Sequence, residues 1–165
     1  MRLVVTDTGP LLHLAEAKSL EILRWVGEVH IPLAVNKEMA QLENDWESAR
    51  PAWVHVTSVA PPHSAEALNW EQSGLLDHGE SEAIALARQL SASWFLTDDT
   101  SARLVAHSLG IEAHGSLGII LWTAAEGHLT RAEAESALTR LSQSSLWLSE
   151  RILGEARKAL DQLSG

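Results

Sequence analysis

The chain has 165 residues, a length typical of one domain, and 45% of them are hydrophobic, so it can bury a core. No run approaches the ~18–20 apolar residues of a membrane span, and the absence of cysteine excludes disulfides and thiolate metal sites. The formal net charge of −10 argues against a general nucleic-acid coat protein, which is usually basic. The first residues show no signal-peptide pattern, so we expect a cytoplasmic protein that does not associate with a membrane.

The amino-terminal residues predict a buried strand that ends in a carboxylate. Residues 2–6 (RLVVT) are mostly apolar and β-branched, which favours a strand, and Asp7 follows directly. Thr8 is predicted to cap a helix that carries Pro10 in its first turn. A second helical stretch (SLEILRWV) ends at Gly27, which we expect to follow the last helical turn.

A second and a third strand are predicted before residue 60. Residues 28–31 (EVHI) form the second strand, and Pro32 begins a helix that carries Glu38. Residues 43–52 are polar and are expected to be irregular. Residues 53–59 (WVHVTSV) alternate with a period of two, which is typical of a half-buried strand, here at an edge of the sheet.

The stretch from residue 75 to residue 103 combines a helix, a strand and four acidic side chains. Apolar residues with a period near 3.6 predict the helix, which Glu80 and Glu82 open. The strand (WFLT) is short and apolar and ends in Asp98 and Asp99, as a buried parallel strand does. Ligands of open α/β sheets bind outside the carboxyl ends of the strands, so these carboxylates are candidate ligands.

The remaining residues predict four helices and one very short strand. The first helix follows Asp99 and ends at Gly110, the strand is IEAH, and the next helix ends at Gly127. Thr130 opens a capping-box pattern (TRAE) that begins another helix, and Ser149 caps the last one.

Because helices separate all the predicted strands, the expected fold is a three-layer α/β/α sandwich with a mainly parallel sheet of four or five strands. We expect residues 1–165 to form a single domain. The helices over residues 130–163 either pack on it or form an association surface, because they would otherwise expose Trp147, Leu148 and Ile152. A homodimer or a groove for a partner is the expected use of that surface.

Carboxylates recur at comparable places in this predicted fold and indicate a metal site. Asp7 and Asp98 end strands that would share one edge of the sheet, and Glu38 and Glu80 lie early in helices. Carboxylates that lie close together repel one another unless a cation separates them. Hard oxygen ligands suit Mg²⁺ or Mn²⁺, and a pair of such ions stabilises the attacking and leaving oxygens of a phosphodiester displacement.

These residues resemble the PIN-domain family, which includes the VapC-like toxin ribonucleases of toxin–antitoxin pairs. More narrowly, they are similar to a PIN-like group catalogued as a domain of unknown function. The resemblance covers nearly the whole chain. It is carried by VVTDTGPLLHLA near the start, by GESEAIALA and FLTDD at the matching spacing, and by VHIPLAVNKEM and HGSLGIILWTA.

The resemblance implies a site and an activity. The acidic and hydroxyl positions of the family match Asp7 with Thr8, Glu38, Glu80 with Glu82, Asp98 or Asp99, and Ser116. The expected catalytic acids are Asp7, Glu38, Glu80 and Asp98, and the expected metal ligands are Asp7, Glu80, Glu82, Asp98 and Asp99. The implied activity is Mg²⁺- or Mn²⁺-dependent endonucleolytic cleavage of RNA, with an antitoxin as partner and often as a dimer.

Plain structural roles remain open for the amino-terminal half of this set. Asp7 could be only a helix cap after the first strand, since DTGP is typical of a helix start. Glu38 could be a solvated helix residue beside Lys37. Glu80 could be a partner of the helix dipole.

Structural roles are also open for the later residues. Of Asp98 and Asp99, one is expected to bind metal and the other to cap the next helix; Asp98 is favoured because it directly ends the strand. Thr8 and Ser116 are candidate substrate contacts, and Ser116 could also be only an N-cap. Arg103 is a candidate phosphate contact, with a salt bridge to Asp99 as the plainer interpretation. The eight histidines are scattered, and only His78, near the acidic helix start, is expected to merit a test.

Other functional classes fit parts of the pattern. A receiver domain also places aspartates at strand ends, but its acidic pair follows the first strand, whereas here the pair follows a late one. A PIN-like module that has lost activity and serves as a binding scaffold is one alternative. A nuclease directed at DNA is another.

Overall fold

Five short parallel strands form one sheet in the computed structural model, which describes residues 1–164. The strands are β1 Leu3–Thr6, β2 Glu28–Ile31, β3 Val54–Val56, β4 Trp94–Leu96 and β5 Glu112–His114. They lie in the order β3-β2-β1-β4-β5, and each neighbouring pair is parallel. The predicted α/β sandwich with a parallel sheet is confirmed.

Helices connect the strands and flank the sheet. They are α1 Thr8–Glu16, α2 Leu23–Val26, α3 Leu33–Leu42, α4 Trp46–Ala49, α5 His63–Gln72, α6 His78–Gln89, α7 Thr100–Ser108, α8 Ser116–Ala125, α9 Arg131–Ser142 and α10 Glu150–Ser164. A 3-10 turn, Leu20–Ile22, precedes α2. Within the described residues, no helix combines the length and apolar character that crossing a membrane requires.

The centre of the sheet places two acidic strand ends side by side. Val5 of β1 pairs in register with Phe95 of β4, and both side chains are fully buried. One residue further on, the backbone N–H of Asp7 donates to the carbonyl of Leu96 at 3.0 Å. The carboxyl ends of β1 and β4 are therefore adjacent, so residues that follow these strands meet at one edge of the sheet.

One local expectation from the sequence differs from the structure. The polar stretch 43–52 contains α4, whose Trp46 is buried and donates through Nε1 to Asn36 at 2.9 Å. Gly27 directly follows the last residue of α2, as expected, and its backbone is extended, with φ of 160°. A Cβ at that position would overlap the carbonyl oxygen of Arg2, so close approach of β1 and β2 explains this glycine.

The carboxyl-terminal helices lie against the rest of the chain. α9 packs on α8 and α1, and α10 packs on α9 and α8. Arg140 of α9 donates to the carbonyl of Ala17 at 2.5 Å, which joins it to the end of α1. Trp147, in the loop between α9 and α10, stays 83% exposed.

Candidate active site

An acidic cleft of about 250 Å³ lies outside the carboxyl ends of β1 and β4. Thr8, Gly9, His13 and Leu146 form part of its lining. The described carboxylates that line it are Asp7, Glu38, Asp77, Glu80, Asp98 and Asp99. The structure therefore brings together five of the acids named from the sequence, which come from α3, α6 and the ends of β1 and β4.

Asp7 is the most deeply buried of these acids, at 3% exposure. Its Oδ2 accepts a hydrogen bond of 2.5 Å from Thr97, whereas its Oδ1 is buried without a hydrogen-bond partner. Burial raises its pKa, the bond from Thr97 offsets this in part, and the charges of Glu80 and Asp98 raise it further. Asp7 stands at the N-cap position of α1; the backbone of Gly9 lowers the pKa of Asp7 slightly, but the side chain makes no capping hydrogen bond of normal geometry.

Glu80 serves both the start of α6 and the cleft. It forms a capping box with Asp77: its N–H donates to Asp77 Oδ1 at 2.8 Å, and its Oε1 accepts from the Asp77 N–H at 3.0 Å. Burial raises the pKa of Glu80 to about 7; the bond from the Asp77 backbone opposes the rise, and the nearby Asp77 and Asp99 carboxylates add to it. The sequence signal for this partner is the pattern DHGE at the helix start.

Glu38 reaches the cleft from α3 through a close approach to α6. Its Oε2 accepts a short hydrogen bond from the hydroxyl of Thr8, which was a candidate substrate contact. A Cβ at Gly79 would overlap the Glu38 carboxylate, so glycine at residue 79 lets that carboxylate occupy its present place against α6. Thr8 thus orients Glu38 instead of standing free.

Asp98 is held by a network that the sequence did not reveal. Its Oδ2 contacts His13 Nδ1 at 2.7 Å and accepts from the Ser116 hydroxyl at 2.6 Å, and its Oδ1 accepts from the Ser116 N–H at 2.7 Å. Burial raises the pKa of Asp98, but the hydrogen bonds from His13 and Ser116 outweigh it, so the net shift is downward. Ser116 is fully buried, and its hydroxyl contacts Asp98.

Asp99 and Arg103 occupy the rim beside α7. Asp99 Oδ2 caps α7 by accepting from the Ala102 N–H at 2.9 Å, yet the residue also lines the cleft. Arg103 donates to the carbonyl of Thr97 at 3.1 Å and is exposed. In the described part of the chain it forms no ion pair with Asp99, contrary to the plainer expectation.

Glu82, predicted as a metal ligand, does not line the cleft. Its Oε1 accepts from the Ala34 N–H at 3.3 Å, and its Oε2 lies 3.3 Å from His78 Nε2. His78 also contacts Glu71 at 2.9 Å. Glu71, His78 and Glu82 line a separate hollow beside α5. Glu82 lies outside the cleft because it follows Glu80 by two residues and is therefore on a different face of α6.

The residues that line the acidic cleft all lie within the part of the chain that matches a known family. The family model DUF3368, described as a PIN domain, matches residues 3–162 of the chain. The chain belongs to the PIN-domain family. A comparison with curated proteins gave no match. The PIN domain is a nuclease-type fold, and PIN domains generally use divalent metal ions.

The chemistry of the cleft fits such an ion. Carboxylate oxygens are the ligands that Mg²⁺ and Mn²⁺ prefer, and Asp7 Oδ1 is a buried oxygen that lacks a donor. Among residues 1–164, no group of three histidine or acidic side chains stands ready to hold an ion. Glu38, Glu80, Asp98 and Asp99 each give an oxygen to a donor of the protein.

Proposed function

We propose that the protein is a divalent-metal-dependent endonuclease that cleaves RNA. The observation that carries the proposal is the unpartnered Oδ1 of Asp7, buried in a cleft lined by carboxylates. A buried polar oxygen without a partner is costly, and repulsion between neighbouring carboxylates adds to that cost. A divalent cation would relieve both.

Asp7, Glu80 and Asp99 are the best candidates to hold the ion, with Glu38 beside them. When bound, Mg²⁺ or Mn²⁺ would supply the positive charge that stabilises displacement at a phosphodiester. Thr97 fixes Asp7 in one orientation, and the hydroxyl of Thr8 does the same for Glu38. The protein thus sets the positions of the donors before substrate arrives.

Because the protein and its cleft are negatively charged, a phosphate backbone would bind there together with cations. The net charge is −10, and the cleft itself is acidic, so a phosphate backbone would be repelled by the protein alone. Arg103 is an exposed cation near the end of β4 and is the proposed phosphate contact. Thr8 and Ser116 are engaged with Glu38 and Asp98, so they act on substrate indirectly.

Cleavage of a labelled single-stranded RNA, with the matching DNA strand beside it, tests the proposal. The wild-type protein should cleave the RNA only with Mg²⁺ or Mn²⁺. Asp7→Asn should lose at least ~100-fold in rate while its circular dichroism stays unchanged, because it removes a ligand and keeps the shape. Glu82→Gln is the matched control outside the cleft and should cleave like the wild type.

The alternatives give different results in this assay or in calorimetry. Cleavage of the DNA strand alone would indicate a DNA-directed nuclease. Absence of Mn²⁺ binding by calorimetry would indicate a PIN module without catalysis. Equal cleavage by wild-type protein and Asp7→Asn would place the activity elsewhere.

We also propose that the protein is the toxin of a toxin–antitoxin pair and forms a homodimer, with residues 1–165 as one domain. Support comes from apolar side chains exposed near the carboxyl terminus: Trp147 at 83%, Ile152 at 38% and Leu163 at 50%. Induced expression should arrest growth for the wild type but not for Asp7→Asn. Sedimentation at micromolar concentration should show a dimer; a monomer with no co-purifying partner would contradict this part.

A further inference from the structure

We propose that His13 is itself a metal ligand of the acidic cleft and that Asp98 is a positioning residue acting through it. This inference rests on the proposed metal dependence. It replaces the all-carboxylate ligand set expected from the sequence with a mixed set of oxygen and nitrogen donors.

The contacts of Asp98 leave it poorly placed to be a ligand. Its side chain is 8% exposed, and its two oxygens already accept from His13, the Ser116 hydroxyl and the Ser116 N–H. The same contacts tie α1 to the start of α8. Asp98 is therefore satisfied by the protein, whereas Asp7 Oδ1 is not.

The same network orients the imidazole of His13. Because the carboxylate of Asp98 can only accept, Nδ1 of His13 carries the hydrogen of their 2.7 Å bond. In the neutral ring, Nε2 then holds the free lone pair. Histidines that bind metals nearly always donate their other ring nitrogen to a carboxylate or carbonyl, which fixes the tautomer.

The helix geometry directs His13 towards Asp7. His13 lies four residues after Gly9 in α1, so the two share a face, and helical side chains lean towards the amino terminus. A Cβ at Gly9 would lie 3.6 Å from Asp7 Oδ1 and 3.5 Å from Asp98 Cβ. The absent side chain of Gly9 thus leaves space beside Asp7 Oδ1, a buried oxygen without a hydrogen-bond partner, and His13 lines the same cleft.

A nitrogen ligand has a consequence for metal choice. Mg²⁺ is hard and takes oxygen ligands and water, whereas transition-metal ions accept imidazole. The site should therefore bind Mn²⁺ more tightly than Mg²⁺, and His13 should be the cause of the difference.

Pulsed electron paramagnetic resonance of Mn²⁺ bound to the full-length protein tests the proposal without measuring activity. We expect coupling from a directly bound nitrogen in the wild type and its loss in His13→Gln. Calorimetry should show Mn²⁺ affinity falling by ~10–100-fold in that variant and Mg²⁺ affinity nearly unchanged. His78→Gln is the matched control, because His78 also contacts carboxylates but lies outside the cleft; it should retain the nitrogen coupling.

Asp98→Asn separates positioning from ligation. It should keep the nitrogen coupling and lose about tenfold in Mn²⁺ affinity, the size expected for a group that orients a ligand. Wild-type protein that binds Mn²⁺ without nitrogen coupling would overturn this inference and leave the proposed nuclease intact. Wild-type protein that binds no Mn²⁺ would overturn both. The wild-type spectrum decides the matter even if a variant fails to fold.

Discussion

Burial in the cleft disfavours the ionised form of two carboxyl groups, those of Asp7 and Glu80. Burial raises the pKa of Asp7, more than the bond from Thr97 lowers it. Burial also raises the pKa of Glu80, to about 7, despite the bond from the Asp77 backbone. In the unfolded chain such groups titrate near ~4. The folded, metal-free protein therefore binds more protons than the unfolded chain at weakly acidic pH.

The sign of this difference predicts how stability depends on pH. A group whose pKa is raised by folding stabilises fully below its unfolded pKa, and that contribution is lost as pH rises through the folded value. For Glu80 the window runs from 4.5 to about 7. In EDTA, the melting temperature should fall across this window, and Glu80→Gln should reduce the slope, because glutamine stays neutral and can still accept from Asp77.

The chain offers a matched control in the second capping box. Glu133 has the same place in α9 as Glu80 has in α6, but it is exposed, and hydrogen bonds from Thr130 lower its pKa. Glu133→Gln should leave the slope between pH 5 and 7 unchanged, since this group is already ionised there in both states. Equal slopes for wild type and Glu80→Gln would mean that Glu80 is ionised in the folded protein.

At the residue scale, the sequence predicts the acids better than their partners. Asp7 and Asp98 could be placed because each directly follows a buried strand. His13 could not, because its role depends on which face of α1 meets the end of β4, and the sequence leaves that packing undetermined. For the same reason, the sequence does not show that Ser116 is buried. Asp77 was not named from the sequence, although an aspartate three residues before Glu80 is a capping-box pattern that could have identified it.

At the scale of elements, Gly27 lies directly before β2 and close to the backbone of Arg2, which directly precedes β1. A methyl group there would overlap the backbone carbonyl of Arg2, which is fixed by the hydrogen bond it accepts from the Glu28 N–H at 2.8 Å. We expect Gly27→Ala to lower the free energy of unfolding by ~1–3 kcal/mol, the usual cost of overpacking. Urea denaturation followed by circular dichroism measures it.

Gly118 provides the comparison, because a Cβ there meets nothing within 4 Å and the residue lies in α8. Gly118→Ala should raise the free energy of unfolding by ~0.5–1 kcal/mol through helix propensity. If Gly27→Ala proved as stable as Gly118→Ala, β1 and β2 would be free to move apart at this point.

The sequence predicts most of the order of the helices and strands, but it does not predict the residues at which they end. Alternating strands and helices predicted the parallel sheet, because parallel neighbours need long crossovers. The third strand was predicted over 53–59 and covers only Val54–Val56. The helix α4 was missed because its polar sequence hides one buried side chain, Trp46, whose partner Asn36 lies ten residues earlier in α3.

At the scale of the whole molecule, the protein carries a net negative charge, and part of that charge is concentrated in one cleft. The net charge is −10, and six carboxylates line one cleft of the described structure. Like charges disfavour the compact state when they lie close together. The metal-free fold should therefore gain stability from any cation that binds the cleft, and it should gain more from a specific divalent ion than from general screening by salt.

Melting temperature with and without Mn²⁺ measures that gain. An ion that binds only the folded state adds RT ln(1 + [L]/Kd), about 2.7 kcal/mol at a hundredfold excess over Kd, or roughly 5–10 °C for a chain of this size. NaCl at matched ionic strength should give a much smaller rise. Asp7→Asn should melt no lower than the wild type without metal, because burial already opposes the charge of Asp7, and it should lose most of the Mn²⁺ rise. A full rise in Asp7→Asn would show that the ion stabilises the protein at a place other than this cleft.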